Sequence, residues 1–226
     1  LLIKQAEKVI LTLADGSKNS ISDTENYVFG ADEDEPDATL FSKSDLTING
    51  GGALAINANY KNGVASKDNL VITNGDITVT AVNDALRGKD SVTIADGSFS
   101  LTAGGDGIKS NNTEDSALGC ITIDGGDFTI NAENDGIQAE TALIVTNGTF
   151  DITCGGGSTV SVTQNNNDMP QNDSFQGGPP SEMSGKLPEG GMGGGQVPDS
   201  TTITETDTIS QKGLKGATNI EITGGV

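Results

Sequence analysis

The chain has no histidine and no tryptophan, and only two cysteines, two tyrosines and six phenylalanines among 226 residues. Without histidine the usual general base, the Ser-His-Asp arrangement and most transition-metal sites are excluded together. Cys120 and Cys154 are too few for a disulfide scaffold and lack zinc-like spacing. Positive charge is equally scarce. Twelve Lys and Arg stand against 32 Asp and Glu, a formal net charge of -20, so a nucleic acid would approach against the protein's own field. No window of about 18 apolar residues exists, which excludes a membrane-spanning helix. Hydrophobic residues make up 33% of the chain, below the globular average, so burial must be economical. The length suits one large domain, or one domain with a disordered piece. The chain opens on Leu1 rather than Met, which reads as a processed or trimmed N-terminus from which any signal peptide has already gone.

What the chain does have is glycine, 32 of it, and a repeat. Asn69–Ala81, Ser91–Ala103, Cys120–Ala132 and Ala142–Cys154 align as two short stretches of alternating apolar and polar residues around a Gly-bearing corner. That alternation is the signature of strands with one buried face. An earlier copy runs from Asp45 to Ala58, and a last one begins at Asn219. The corner column Gly75, Gly97, Gly126, Gly148 advances by 22, 29 and 22 residues. A third apolar stretch follows each copy, as in Ala85-Leu86-Arg87-Gly88 and Gly107-Ile108-Lys109-Ser110. Three strands per unit of about 22 residues predict an all-β fold, a right-handed parallel β-helix whose rungs stack at roughly 4.8 Å. The Leu and Asn spacing of leucine-rich repeats is absent. Ala58, Ala81, Ala103, Ala132 and Cys154 form one inward column, where Cys154 is expected as a buried thiol, with Cys120 on the other side of the rung.

The division expected is an entry rung and cap over 1–43, then the β-helix over 44–226. Its interruption at about 155–210 is rich in Gly, Pro and Asn and is expected as a mobile loop with strand-like flanks at 158–163 and 201–209. Asn111 to Ala117 lengthens one rung, and the acidic run Ala31 to Asp37 is expected as a surface loop.

In a stacked fold, chemistry takes the form of columns. Asn62, Asp84, Asp106 and Asp135 precede the third strand of successive units, with Asn83 and Asn134 beside two of them. Carboxylates about 5 Å apart repel unless a cation lies between them, and an all-oxygen set suits Ca²⁺, with Glu133 and Glu140 as further ligands. The plainer alternative is a series of Asx turns, for which Asn-Asp-Gly is a good sequence. Three positions on, Arg87, Lys109, Gln138 and Lys215 form a second column. They either compensate the Asp column or, with calcium, hold the carboxylates of an acidic polysaccharide. Tyr27 and Tyr60 are the aromatics able to stack on a sugar while offering a hydroxyl, although partial burial under a loop is the plainer role.

These residues carry a resemblance. The Asn-Gly-x-Phe-x-Ile and Asn-Asp-Gly-Ile patterns, the Gly/Met/Pro-rich insertion and the restart Gly213-Leu214-Lys215-Gly216-Ala217-Thr218-Asn219-Ile220 resemble the carbohydrate-binding β-helix family of clostridial cell-surface proteins. The likeness covers about 40–226. It implies a pectate-lyase-like fold, Ca²⁺ carried by Asp84, Asp106 and Asp135, and binding of cellulose and of acidic plant cell-wall sugars such as polygalacturonate without cleavage. It also implies an extracellular, secreted or surface-attached protein, expected as a monomer. The alternatives are a pectate-type lyase, in which Arg87, Lys109 or Lys215 abstracts the α proton, and an adhesin or wall-spacer rod.

Overall fold

The computed structural model describes residues 1–30, 36–155 and 211–224. It is a right-handed parallel β-helix. Twenty strands and no helix occur among the described residues, and they fall into three parallel sheets that run the length of the stack.

Sheet 1 comprises β1 (Leu2–Ile3), β4 (Ala38–Ser42), β7 (Asn62–Ser66), β10 (Leu86–Gly88), β13 (Ile108–Ser110), β16 (Ile137–Ala139) and β19 (Leu214–Gly216). Sheet 2 comprises β2 (Lys8–Thr12), β5 (Asp45–Asn49), β8 (Asn69–Ile72), β11 (Ser91–Ile94), β14 (Cys120–Ile123), β17 (Ala142–Val145) and β20 (Asn219–Ile222). Sheet 3 comprises β3 (Lys18–Ser22), β6 (Ala53–Ala58), β9 (Asp76–Ala81), β12 (Ser98–Ala103), β15 (Asp127–Ala132) and β18 (Thr149–Cys154). Each full rung takes one strand from each sheet. The first three strands are continuous with the stack: β1, β2 and β3 pair in parallel with β4, β5 and β6.

The alternation read from sequence decides which side chains enter. In β9, β12 and β15 every second residue is buried and the intervening Thr, Ser, Asp and Asn face water. The inward residues stack in register as ladders, Leu70–Val92–Ile121–Leu143 in sheet 2 and Ile77–Phe99–Phe128–Phe150 in sheet 3. Phe99, Phe128 and Phe150 lie ring on ring, with centroids 4.7 and 4.8 Å apart and planes within 5°. The chain therefore builds its core from thin ladders of aliphatic and phenyl groups, and the ladder of sheet 3 needs only Phe99, Phe128 and Phe150. At the corner before this ladder Gly97 holds φ 135°, and a Cβ there would meet the Gly75 carbonyl oxygen at 2.9 Å and the Phe99 ring at 3.0 Å. Only glycine fits both the dihedral and the space.

Two local expectations are corrected. Cys154 stands in register with Ala132 in the alanine column but is half-buried, because sheet 3 has no strand beyond β18 among the described residues to cover it. Burial still pushes its thiol pKa up. Asp37 is not part of a surface loop: it is 7% exposed, at the entrance to β4. Residues 31–35, the strand-like flanks at 158–163 and 201–209, and the body of the insertion lie outside the described residues.

Candidate functional site

The turn from sheet 3 into sheet 1 carries the Asn/Asp column, and each member is fastened to the next rung. Asn62, fully buried, donates from Nδ2 to the Asp37 carbonyl at 2.9 Å, and its Oδ1 accepts from the Asp84 amide at 3.1 Å and from Asn83 Nδ2 at 2.9 Å. Asp84 Oδ1 then accepts from the Asp106 amide at 3.0 Å, Asp106 Oδ1 from the Asp135 amide at 2.9 Å, and Asp135 Oδ1 from the Lys212 amide at 2.7 Å. The three carboxylates are buried. One oxygen of each thus closes a rung-to-rung bond, the side-chain-to-backbone pattern these residues favour.

The second oxygens face the basic column. Arg87, Lys109, Gln138 and Lys215 stand in strict register across β10, β13, β16 and β19. Lys109 Nζ is hydrogen-bonded to Asp106 Oδ2 and lies 4.0 Å from Asp84 Oδ2, while Lys215 Nζ bonds Asp135 Oδ2 at 3.0 Å. Arg87 reaches across the small Ala65 to Asp37, Nη2 to Oδ2 at 2.7 Å, and Lys61 approaches the same oxygen at 3.7 Å. Burial acts to lower the Lys109 pKa, but the charges of Asp84 and Asp106 outweigh it and hold the ammonium above its ordinary range. Burial raises the Asp84 pKa, against the pull of Lys109.

The lysines therefore stand where a calcium ion was expected. The donors are the hard oxygens that Ca²⁺ favours, yet one oxygen of each Asp is spent on a backbone amide and the other faces an ammonium. Among the described residues no group of three or more His, Cys, Asp or Glu is placed to hold a metal. As they stand, these residues do not fit a resident calcium. Glu133 and Glu140 are not brought to the column: Glu133 lines a separate cleft with Val82, Thr102 and Asn131, and Glu140 follows the far end of β16.

Lys109, Gln138 and Lys215 line one open cleft of about 370 Å³ with Asp106, Asn134, Asp135 and Lys212. Arg87 lies outside it, beside Asp37. Tyr27 and Tyr60 meet Phe29 in a half-buried trio, Tyr27 to Tyr60 at 4.6 Å between centroids, and the Tyr27 hydroxyl donates to Asp23 at 3.1 Å. Burial, then Asp23, pushes the Tyr27 pKa up to about 12.

A third column escaped the sequence reading. Lys4, Lys43, Lys67 and Lys89 each follow a sheet 1 strand directly, and the amides of Lys43, Lys67 and Lys89 each bond the preceding rung. The signal was present in Ser42-Lys43, Ser66-Lys67 and Gly88-Lys89, one residue beyond the stretches aligned. With Lys61, Arg87, Lys109, Lys212 and Lys215, nine of the twelve cationic residues lie in sheet 1 strands or within two residues of their ends.

A family model described as "Carbohydrate-binding domain-containing protein" matches residues 1–226. A carbohydrate-binding domain-containing protein of Acetivibrio thermocellus is 46% identical over 82 residues, 36% of this chain and 29% of that protein. A solved structure described as the polysaccharide lyase-like protein from C. thermocellum, a gadolinium derivative, has a TM-score of 0.67 at 42% identity and covers 69% of this chain and 63% of its own. The chain thus spans less than a third of the first relative and less than two thirds of the second.

Proposed function

The chain belongs to the carbohydrate-binding domain-containing family, and from that premise we propose that its sheet 1 face binds an acidic polysaccharide, a polyuronate of the polygalacturonate type, and holds it without cleaving it. The observation that carries this reading is the partition of charge: in a protein of net charge -20, nine of twelve cations gather along one sheet. The open cleft there presents the ammonium groups of Lys109, Lys212 and Lys215 beside the amides of Asn134 and Gln138. Ammonium groups pair with uronate carboxylates, and amides and the Asp oxygens bond sugar hydroxyls. A neutral glucan such as cellulose offers these lysines no carboxylate and is expected to bind this face more weakly.

The description of the solved relative as polysaccharide lyase-like keeps a lyase as the second reading. A lyase needs a neutral base, and the raised pKa of Lys109 keeps it protonated at neutral pH. The reading also implies an extracellular protein, since such polymers lie outside cells, and one acting as a monomer, since a single chain supplies the lining of the cleft.

The test is to incubate the protein with polygalacturonate, with and without Ca²⁺, follow the ultraviolet absorbance of the unsaturated product, and then measure protein retained on the insoluble polymer. Retention without product is expected. Product formation favours the lyase, and the absence of both product and retention favours a plain structural rod.

A further inference from the structure

A smaller opening lies on the same face. A recess of about 100 Å³ is lined by Asp37, Ser66, Lys67, Arg87, Lys89 and Asn111. Two of its oxygens, Asp37 Oδ1 and Asn111 Oδ1, are buried and have no hydrogen-bond donor. The Asp37 side chain is 10% exposed, and its other oxygen is held by Arg87. Buried acceptors are normally partnered, so an unmet one gains most from an incoming hydroxyl, which supplies a bond that the free protein lacks. Lys89 stands at the rim, paired with Glu114, which is 78% exposed. Such a solvent-screened pair exchanges readily for another carboxylate.

The recess and the larger cleft share one strand. Asp106 and Lys109 of the cleft lie just before and within β13, and Asn111 of the recess follows its end. The two openings are therefore offset diagonally by two or three rungs, roughly 10–14 Å at the spacing of stacked strands. Lys109 and Arg87 stand between them. A chain of sugars crosses that distance and a single ring does not.

We propose that the Asp37–Arg87–Lys89–Asn111 recess is a second subsite, in which Asp37 and Asn111 accept hydroxyls and Lys89 pairs a carboxylate of the same polyuronate chain that fills the larger cleft. The proposal rests on the acidic-polysaccharide reading above. Because both oxygens are buried in the free protein, binding must displace the side chains that cover them.

Calorimetric titration with galacturonate dimer and hexamer tests it. The wild type is expected to bind the hexamer at least tenfold more tightly than the dimer, because the second contact becomes intramolecular. Asn111→Ala and, separately, Lys89→Gln should each weaken hexamer binding at least threefold, while Lys18→Gln, on sheet 3, should not. Lys89 is a surface residue, so its variant is expected to fold if Asn111→Ala does not. Wild-type hexamer affinity in both variants would mean that the recess holds only water and would overturn the subsite. No hexamer binding by the wild type would overturn the polysaccharide reading itself, and the subsite with it.

Discussion

At the scale of single residues, Asn62 shows how much one side chain can organise. It is fully buried and makes three bonds, to Asp37, Asn83 and Asp84. Asn62→Ala leaves several buried groups unpaired and should cost about 3 kcal/mol in denaturant unfolding. Tyr27 gives a second check. With its folded pKa near 12 against 10.0 for the free group, its phenolate absorption should appear about two pH units late, and Tyr27→Phe should abolish that late step. The folded state then binds the proton that the unfolded state has lost, so this contribution to stability is present below pH 10 and disappears as pH rises toward 12. The raised pKa of Lys109 acts in the same direction: its contribution is complete below the ordinary lysine range and is lost as pH rises through the folded value. The identity and register of Asn62, Asp84, Asp106 and Asp135 were legible in the sequence, because a repeat fixes what stacks on what. Their partners were not. Whether an oxygen meets an amide, an ammonium or a metal depends on turn geometry, and Asp37 was missed because it falls one residue before the column, with Ala38 opposite Asn62.

At the scale of strands and turns, the ladders and the glycine corners carry the fold. Phe128 has a phenyl ring on each side, so Phe128→Ala removes two stacking contacts and opens a gap inside the stack. The expected loss is about 3–5 kcal/mol. Gly97→Ala should cost about 2 kcal/mol or more, since it combines a strained positive φ with contacts to Gly75 and Phe99. Gly16→Ala, where a Cβ meets nothing within 4 Å, should cost less. Urea titration of the three variants checks that order. This level was the most readable from sequence, because alternation in β9, β12 and β15 and the 22-residue return of Gly75 and Gly97 are direct consequences of pleat and rung. Cys154 departed from its expected burial for a reason that periodicity does not contain: it depends on which rung comes next.

At the scale of the whole molecule, a strongly acidic protein keeps one face for cations. The Asp ladder pairs part of that charge inward, so Lys109, through Asp84, and Lys215, through Asp135, both tie rungs together and line the cleft. Since the ladder is satisfied by backbone amides and lysines, EDTA should leave the melting temperature unchanged. A melt that falls with EDTA and recovers with Ca²⁺ would restore calcium as a structural ion. The most direct measurement is titration of galacturonate hexamer into the wild type and into Lys212→Gln/Lys215→Gln, at low and at physiological salt. Exposed ion pairs are screened over about 8–10 Å of ionic atmosphere. Wild-type binding should weaken as salt rises, and the double variant should lose roughly tenfold or more in affinity while still folding, with a melting temperature lowered where Asp135 loses Lys215. Binding indifferent to salt and equal in both proteins would contradict it.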